Sequence, residues 1–131
     1  MSQKSMLGSG RKTQSQGFLF FFKYSLPSFF SLHTDNKFNL FCQIRGAKYF
    51  ILVDPASTAP VPTLSNLMFN SSDLDVEAEV KMPESKYILR ECVVKEGDVL
   101  YIPKLYWHYV KSLSASVSIS VWFDYFFKIN F

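Results

Sequence analysis

One stretch near the C-terminal end constrains the fold class more than any other: Ala115 to Phe123, ASVSISVWF. Val117, Ile119 and Val121 alternate with Ser116, Ser118, Ser120 and Trp122. A period of two over this length describes a β-strand with two unlike faces. One face asks to be packed, and the Ser-bearing face can line a cavity as readily as it can meet bulk water. Further runs rich in Phe, Tyr, Val and Ile read as strands at Phe18–Tyr24, Phe29–Thr34, Phe38–Arg45, Lys48–Val53, Tyr87–Val94, Val99–Ile102 and Tyr106–Ser112. Arg45-Gly46-Ala47 marks a tight turn and Lys95-Glu96-Gly97-Asp98 a turn, while Asp54-Pro55 and Pro103 end the strands before them. Ala56 to Glu84 carries Pro60, Pro62 and Pro83 and is too long for a hairpin turn. It reads as a crossover or functional loop, with one helical turn expected at Leu64–Phe69. Up to eight short strands separated in this way predict an all-β jelly roll, a double-stranded β-helix.

At 131 residues the chain is one domain, and 48% hydrophobic with 18% aromatic residues is enough for a core. A net charge of +3 without a dense Lys/Arg stripe gives no strong signal for nucleic acid. Cys42 and Cys92 are isolated and read as buried apolar residues in a reducing compartment, placing the chain inside the cell, in nucleus or cytoplasm. Residues 1–17 are polar and expected to be disordered, 18–123 form the domain and 124–131 a tail. The Phe-crowded run at 17–30 is too short to span a membrane, so no membrane contact is expected, and Lys23 and Pro27 interrupt it. A buried strand is the favoured reading and a secretory signal the lesser one. A third reading is a gene-prediction artefact, since a pyrimidine-rich intron end encodes such a Phe/Ser/Leu/Pro run.

Chemistry concentrates in SLHTDNKFNLFCQIRGAK, Ser31 to Lys48. His33 and Asp35 are two apart, which on an extended strand turns an imidazole and a carboxylate to one side. The second of only two histidines, His108, lies in the distant run YIPKLYWHYV. Two His and one carboxylate that leave positions open form the facial set of non-haem Fe(II) oxygenases. Each residue also has a plainer reading. His33 and Asp35 can be a surface-loop pair, and His108 a core histidine bonded to a backbone carbonyl. Lys48 can be a solvated residue after a turn, Asn39 a strand-end cap, and Trp122 simple core packing.

The combination HTDNKFNLFCQIRGAKYFILVDP, FNSSDLDVE and EGDVLYIPKLYWHYVKSLSASVSISVWF resembles the Jumonji-C (JmjC) domains of the cupin superfamily. The likeness is greatest to the C-terminal half of the small hydroxylase branch, enzymes described as arginyl hydroxylases or lysine demethylases. It implies that His33, Asp35 and His108 bind Fe(II), that Lys48 holds the distal carboxylate of the cosubstrate 2-oxoglutarate and that Asn39 hydrogen-bonds it. It also places Ser118 and Trp122 along the same pocket. The implied function is an Fe(II)/2-oxoglutarate-dependent dioxygenase acting on Arg or Lys side chains of a protein or peptide. The competing reading is a metal-binding cupin-like module, or a truncated JmjC product, without turnover. Two departures stand out: Phe30 where the family has Ser or Thr before the first metal His, and Phe22 where the branch places Trp.

Overall fold

The structure, a computed structural model, describes residues 19–25, 29–57 and 60–124. The expected disordered segment and the tail beyond Asp124 lie outside the described residues. In order, the elements are β1 (Leu19–Ser25), β2 (Phe29–His33), β3 (Phe38–Arg45), β4 (Lys48–Val53), β5 (Ser71–Ser72), α1 (Val76–Glu79), β6 (Leu89–Val94), β7 (Val99–Ile102), β8 (Trp107–Ser112) and β9 (Ser116–Phe123). They make a four-stranded sheet, β1-β9-β3-β7, and a five-stranded sheet, β5-β2-β8-β4-β6. Early strands pair antiparallel with late ones: β1 with β9, β2 with β8, β3 with β9 and β7, β4 with β8 and β6. The chain therefore winds as a paired ribbon through two sheets, the double-stranded β-helix that its sequence predicts.

β4 shows why the five-stranded sheet is central. Its run KYFILV is apolar on both faces after Lys48. Phe50 and Leu52 point into a core shared with Phe41, Val94, Ile102 and Val110, residues of both sheets. Ile51 and Val53 point the other way, into a second cluster with Leu32, Val76 and Tyr87 under α1 and its flanking loops. Phe50 and Ile51, adjacent in sequence, are both fully buried on opposite faces. Each such side chain contributes roughly 1.5–3 kcal/mol of burial energy.

β9 reverses the usual sense of an amphipathic strand. Its serines face inward, with Ser116 and Ser118 buried, while Val117, Ile119 and Val121 are only partly covered. On the same outer face of neighbouring β3, Leu40 and Ile44 are exposed.

The helical turn expected at Leu64–Phe69 is not present. That stretch makes turns instead, with Met68 N–H donating to Ser65 O and Ser71 N–H to Met68 O. Leu64, Leu67, Met68 and Phe69 are all exposed, so no buried face stabilises a helix there. The helix forms at Val76–Glu79, where Val76 is buried and Asp75 Oδ1 accepts from Ala78 N–H at 3.0 Å. Tyr87, expected to open a strand, packs into the outer cluster instead, and β6 begins at Leu89.

The turn at Gly46 is as tight as its sequence predicts. Gly46 has φ +75°, and a Cβ there would meet Ala115 O at 2.4 Å. The β3–β4 turn thus lies against the β8–β9 turn, and Leu113 N–H donates to Ala47 O at 3.0 Å. Only a residue without a side chain meets both demands.

Candidate metal centre

His33 is the last residue of β2 and His108 the second of β8, and the two stand opposite each other. That pairing depends on an irregularity. Phe30 pairs with Val110, but by His33 the register has slipped by one residue. Without the slip His33 would face Trp107, on the other side of the sheet, because neighbouring positions on a strand alternate faces. The bulge turns His33 onto the inward face of His108. The ring centroids are 4.3 Å apart.

Asp35 reaches the pair from beyond the end of β2, not by continuing it. The chain bends after Thr34, whose N–H donates to Asn70 O, and Leu105 N–H donates to Asp35 O at 2.8 Å. A shared strand register for His33 and Asp35 is therefore not what gathers them; the β2–β3 reversal does so. Asp35 Oδ2 lies 3.7 Å from His108 Nε2. One ligand atom from each of His33, Asp35 and His108 lies within 4.8 Å of the others.

Both imidazoles are oriented by backbone. His33 Nδ1 is 2.7 Å from Ser31 O, and His108 Nδ1 is 2.9 Å from Tyr106 O. An Nδ1–H donating to a carbonyl leaves the Nε2 lone pair free for an ion, the orientation that metal-bound histidines commonly have. Burial pushes the pKa of His108 down to about 4, with the facing His33 adding to the effect, against smaller opposing contributions from Tyr106 O and Asp35. His108 is therefore neutral at physiological pH, the state that can donate to a metal. Its plainer reading, a histidine bonded to a carbonyl, describes the Nδ1 side and leaves Nε2 for the cluster.

Behind the triad is a cavity of about 120 Å³, lined by the triad together with Asn39, Lys48, Ser120 and Trp122 and walled by Phe41, Phe50, Ile102 and Val110. Lys48, the first residue of β4, is 1% exposed and so is not a solvated residue after a turn. Its Nζ donates to Ser118 Oγ at 3.1 Å and stands 5.2 Å over the Phe41 ring. A buried ammonium is costly unless an anion or several acceptors compensate it. Asn39 is buried and its Oδ1 has no hydrogen-bond partner among the described residues. Amide orientation is interchangeable by a flip, so this group can offer either a donor or an acceptor to a bound molecule. The donor set and the unsatisfied amide fit a metal with a small acid beside it.

Of the residues singled out in the sequence, the structure brings His33, Asp35, His108, Asn39, Lys48 and Trp122 to one cavity. Ser118 stands one step back and touches Lys48. Ser120, given no site role from the sequence, also lines the cavity; it lies with Ser118 and Trp122 on the Ser-bearing face that the alternation along β9 marks as able to do so.

Comparison with known proteins matches residues 25–129 to the family described as Cupin-like domain. Lysine-specific demethylase 8 of Danio rerio is 42% identical over 97 residues, 71% of this chain and 24% of that protein. JmjC domain-containing protein D of Dictyostelium discoideum is 47% identical over 95 residues, 67% of this chain and 21% of that protein. The chain thus spans under a quarter of the length of these relatives. Among solved structures, the ribosomal oxygenase YcfD of Escherichia coli, in complex with cobalt and succinic acid, superposes with a TM-score of 0.50 at 18% identity, covering 83% of this chain and 24% of that one. That likeness speaks to the fold. Among the described residues no helix is long and apolar enough to cross a membrane. By sequence and by architecture, the chain belongs to the cupin-like JmjC domain family.

Proposed function

We propose that this chain carries the metal and cosubstrate centre of an Fe(II)- and 2-oxoglutarate-dependent oxygenase that hydroxylates or demethylates an Arg or Lys side chain of a polypeptide. The observation that carries the reading is the meeting of His33, Asp35 and His108 at one end of a cavity that contains the buried ammonium of Lys48. Fe(II) with 2-oxoglutarate supplies the activation of O2 for oxidation of a C–H bond.

The chain's own residues supply binding and order. His33 and His108 hold the ion through Nε2, each kept in orientation by a carbonyl two residues earlier on its own chain segment. Asp35 adds an anionic oxygen that offsets part of the ion's charge. Lys48 binds the far carboxylate of the cosubstrate as a point charge, and Ser118 steadies its Nζ. Asn39 turns its amide to the same molecule. Phe41, Phe50, Ile102 and Val110 exclude water, which strengthens the Lys48–carboxylate attraction.

The test is succinate formation from 2-oxoglutarate with Fe(II) present. The expected result is turnover that His108→Ala abolishes. Metal uptake without succinate, with or without Arg- and Lys-containing peptides, would instead support a metal-binding module or a truncated product.

A further inference from the structure

Gln43 is a large polar side chain that the metal centre does not touch. It is 1% exposed, on the inward face of β3 that also carries Asn39 and Phe41. Three bonds fix it. Its backbone N–H donates to Asp98 O, its carbonyl accepts from Gly97 N–H, and its Nε2 donates to Arg45 O at 2.7 Å. The last bond also settles the amide orientation, because a flipped amide would set oxygen against oxygen. Oε1 is thereby turned away from Arg45, and it has no hydrogen-bond partner among the described residues. A buried acceptor left in this state costs free energy comparable to a lost hydrogen bond, and each instance asks for a reason.

The reason stands on the neighbouring strand. Gln43 pairs with Ser118 across β3 and β9. Side chains directly opposite in an antiparallel pair share a face, with Cβ atoms about 5 Å apart, within reach of a glutamine amide. Ser118 is also fully buried, and its Oγ accepts from Lys48 Nζ at 3.1 Å. A serine hydroxyl has one proton of its own to donate, and among the described residues the bond from Lys48 is the one that Ser118 makes. A donor without an acceptor therefore faces an acceptor without a donor, both shut off from water. The other buried polar side chains at this end, Ser112 opposite Lys48 and Ser116 two residues along β9, are neutral.

We propose that Gln43 is a positioning residue for the acid-binding lysine. Its Oε1 accepts the Ser118 O–H when the acid is bound, which completes a chain from Lys48 Nζ through Ser118 Oγ to Gln43. The chain keeps a serine lone pair turned to the ammonium and holds Nζ at one depth in the cavity. Hydrogen bonds in series strengthen one another, most of all in a dry interior. An ammonium held at one depth selects acids by length. The far carboxylate of 2-oxoglutarate meets it, and an acid one methylene shorter or longer meets it poorly. Gln43 thus helps to decide which acid is taken without touching it. The inference rests on the oxygenase reading for the identity of that acid.

The experiment compares oxaloacetate, 2-oxoglutarate and 2-oxoadipate, a series in one-methylene steps, by titrating each into the Co(II)-loaded full chain and following Co(II) absorbance. The unaltered chain should favour 2-oxoglutarate. Gln43→Met keeps the volume and removes the acceptor. It should weaken 2-oxoglutarate about fivefold, the scale of one hydrogen bond, and shrink its advantage over the other two acids. Ser118→Ala breaks the same chain, so the double variant should bind 2-oxoglutarate no more weakly than Ser118→Ala alone. A variant that merely loosened the fold would weaken all three acids together and leave the preference in place. Gln43→Met also gives up the bond to Arg45 O, so a second measurement leaves Gln43 unaltered. In the Zn(II)-loaded chain, the carbon-13 resonance of the Gln43 side-chain carbonyl should move downfield when 2-oxoglutarate is added, and stay in place in Ser118→Ala. Additive losses in the double variant, a preference that survives Gln43→Met, a resonance that does not move, or equal or absent binding of the three acids by the unaltered chain overturns the proposal. Failure of the oxygenase reading is separate: it appears as absent succinate, whatever the affinities of the acids.

Discussion

The two sheets of this domain handle their apolar residues in opposite ways. At β4 the five-stranded sheet is covered on both faces, so that Phe50 and Ile51 vanish from solvent on opposite sides of the strand. The four-stranded sheet turns serines inward and leaves Leu40, Ile44, Val99 and Tyr101 exposed on its outer face. The second keeps Phe41 and Ile102 in the shared core but turns β9 serines inward, where a polar group such as Lys48, reaching across from β4, finds a hydroxyl partner in Ser118. An amphipathic strand need not aim its apolar face at the core when the interior holds a buried ammonium and a polar cavity.

That contrast can be broken by substitution. The largest effect is expected for Phe50→Ala, which should cost about 3–5 kcal/mol in urea unfolding, because a fully buried ring leaves a cavity that cannot collapse. Next is a pH effect on the metal-free protein. His108 is held down to about 4 in the folded chain but titrates near 6.5 when unfolded. The unfolded state then binds more protons between those values, so this stabilisation is complete above about pH 6.5 and lost as pH falls toward 4. Its size is up to about 3 kcal/mol, read from chemical denaturation across the window. The low-lying Glu77 carboxyl, bonded by Tyr109 and Lys111, works in the same direction at lower pH.

Lys48→Met tests the inward serines directly. It should weaken 2-oxoglutarate binding by about 30-fold or more, from the loss of one partner of a buried charge pair, with much less change in Co(II) affinity. Equal loss of both by calorimetry would make Lys48 structural. The smallest effect belongs to the outer face of the four-stranded sheet: Leu40→Ser should shift stability by no more than about 0.5 kcal/mol. A large loss there would mean that the two sheets are not so different, and that this face packs against something.

Much of this arrangement was legible before any coordinates. β3, β4 and β7 run between the residues expected, because each is an apolar run ended by a turn signal such as Gly46, Asp54 or Pro103. The gathering of both histidines was also legible, since the chain has only two and each sits in a strand-like run. Alternation along β9 revealed two faces but not which one points inward, because period alone carries no direction. The bulge in β2 left no mark either. It is a relation between β2 and β8, and neither strand states it alone. The helix went to Val76 because a cap and a buried valine outweigh the apolar letters at Leu64–Phe69, which meet solvent. Leu105 was unmarked because a left-handed turn is expected at glycine, and the sequence has leucine there.

The pairing of His33 with His108 across β2 and β8 has a consequence for the life of the protein. These residues lie far apart along the chain, yet an ion shared between them would tie β2 to β8 as a cross-link does, closing a long loop and binding only the folded form. Metal scarcity would then be felt first as fraying of β5 and β2, the outermost pair of their sheet, and amide hydrogen exchange along Phe29–His33 would report the supply of metal.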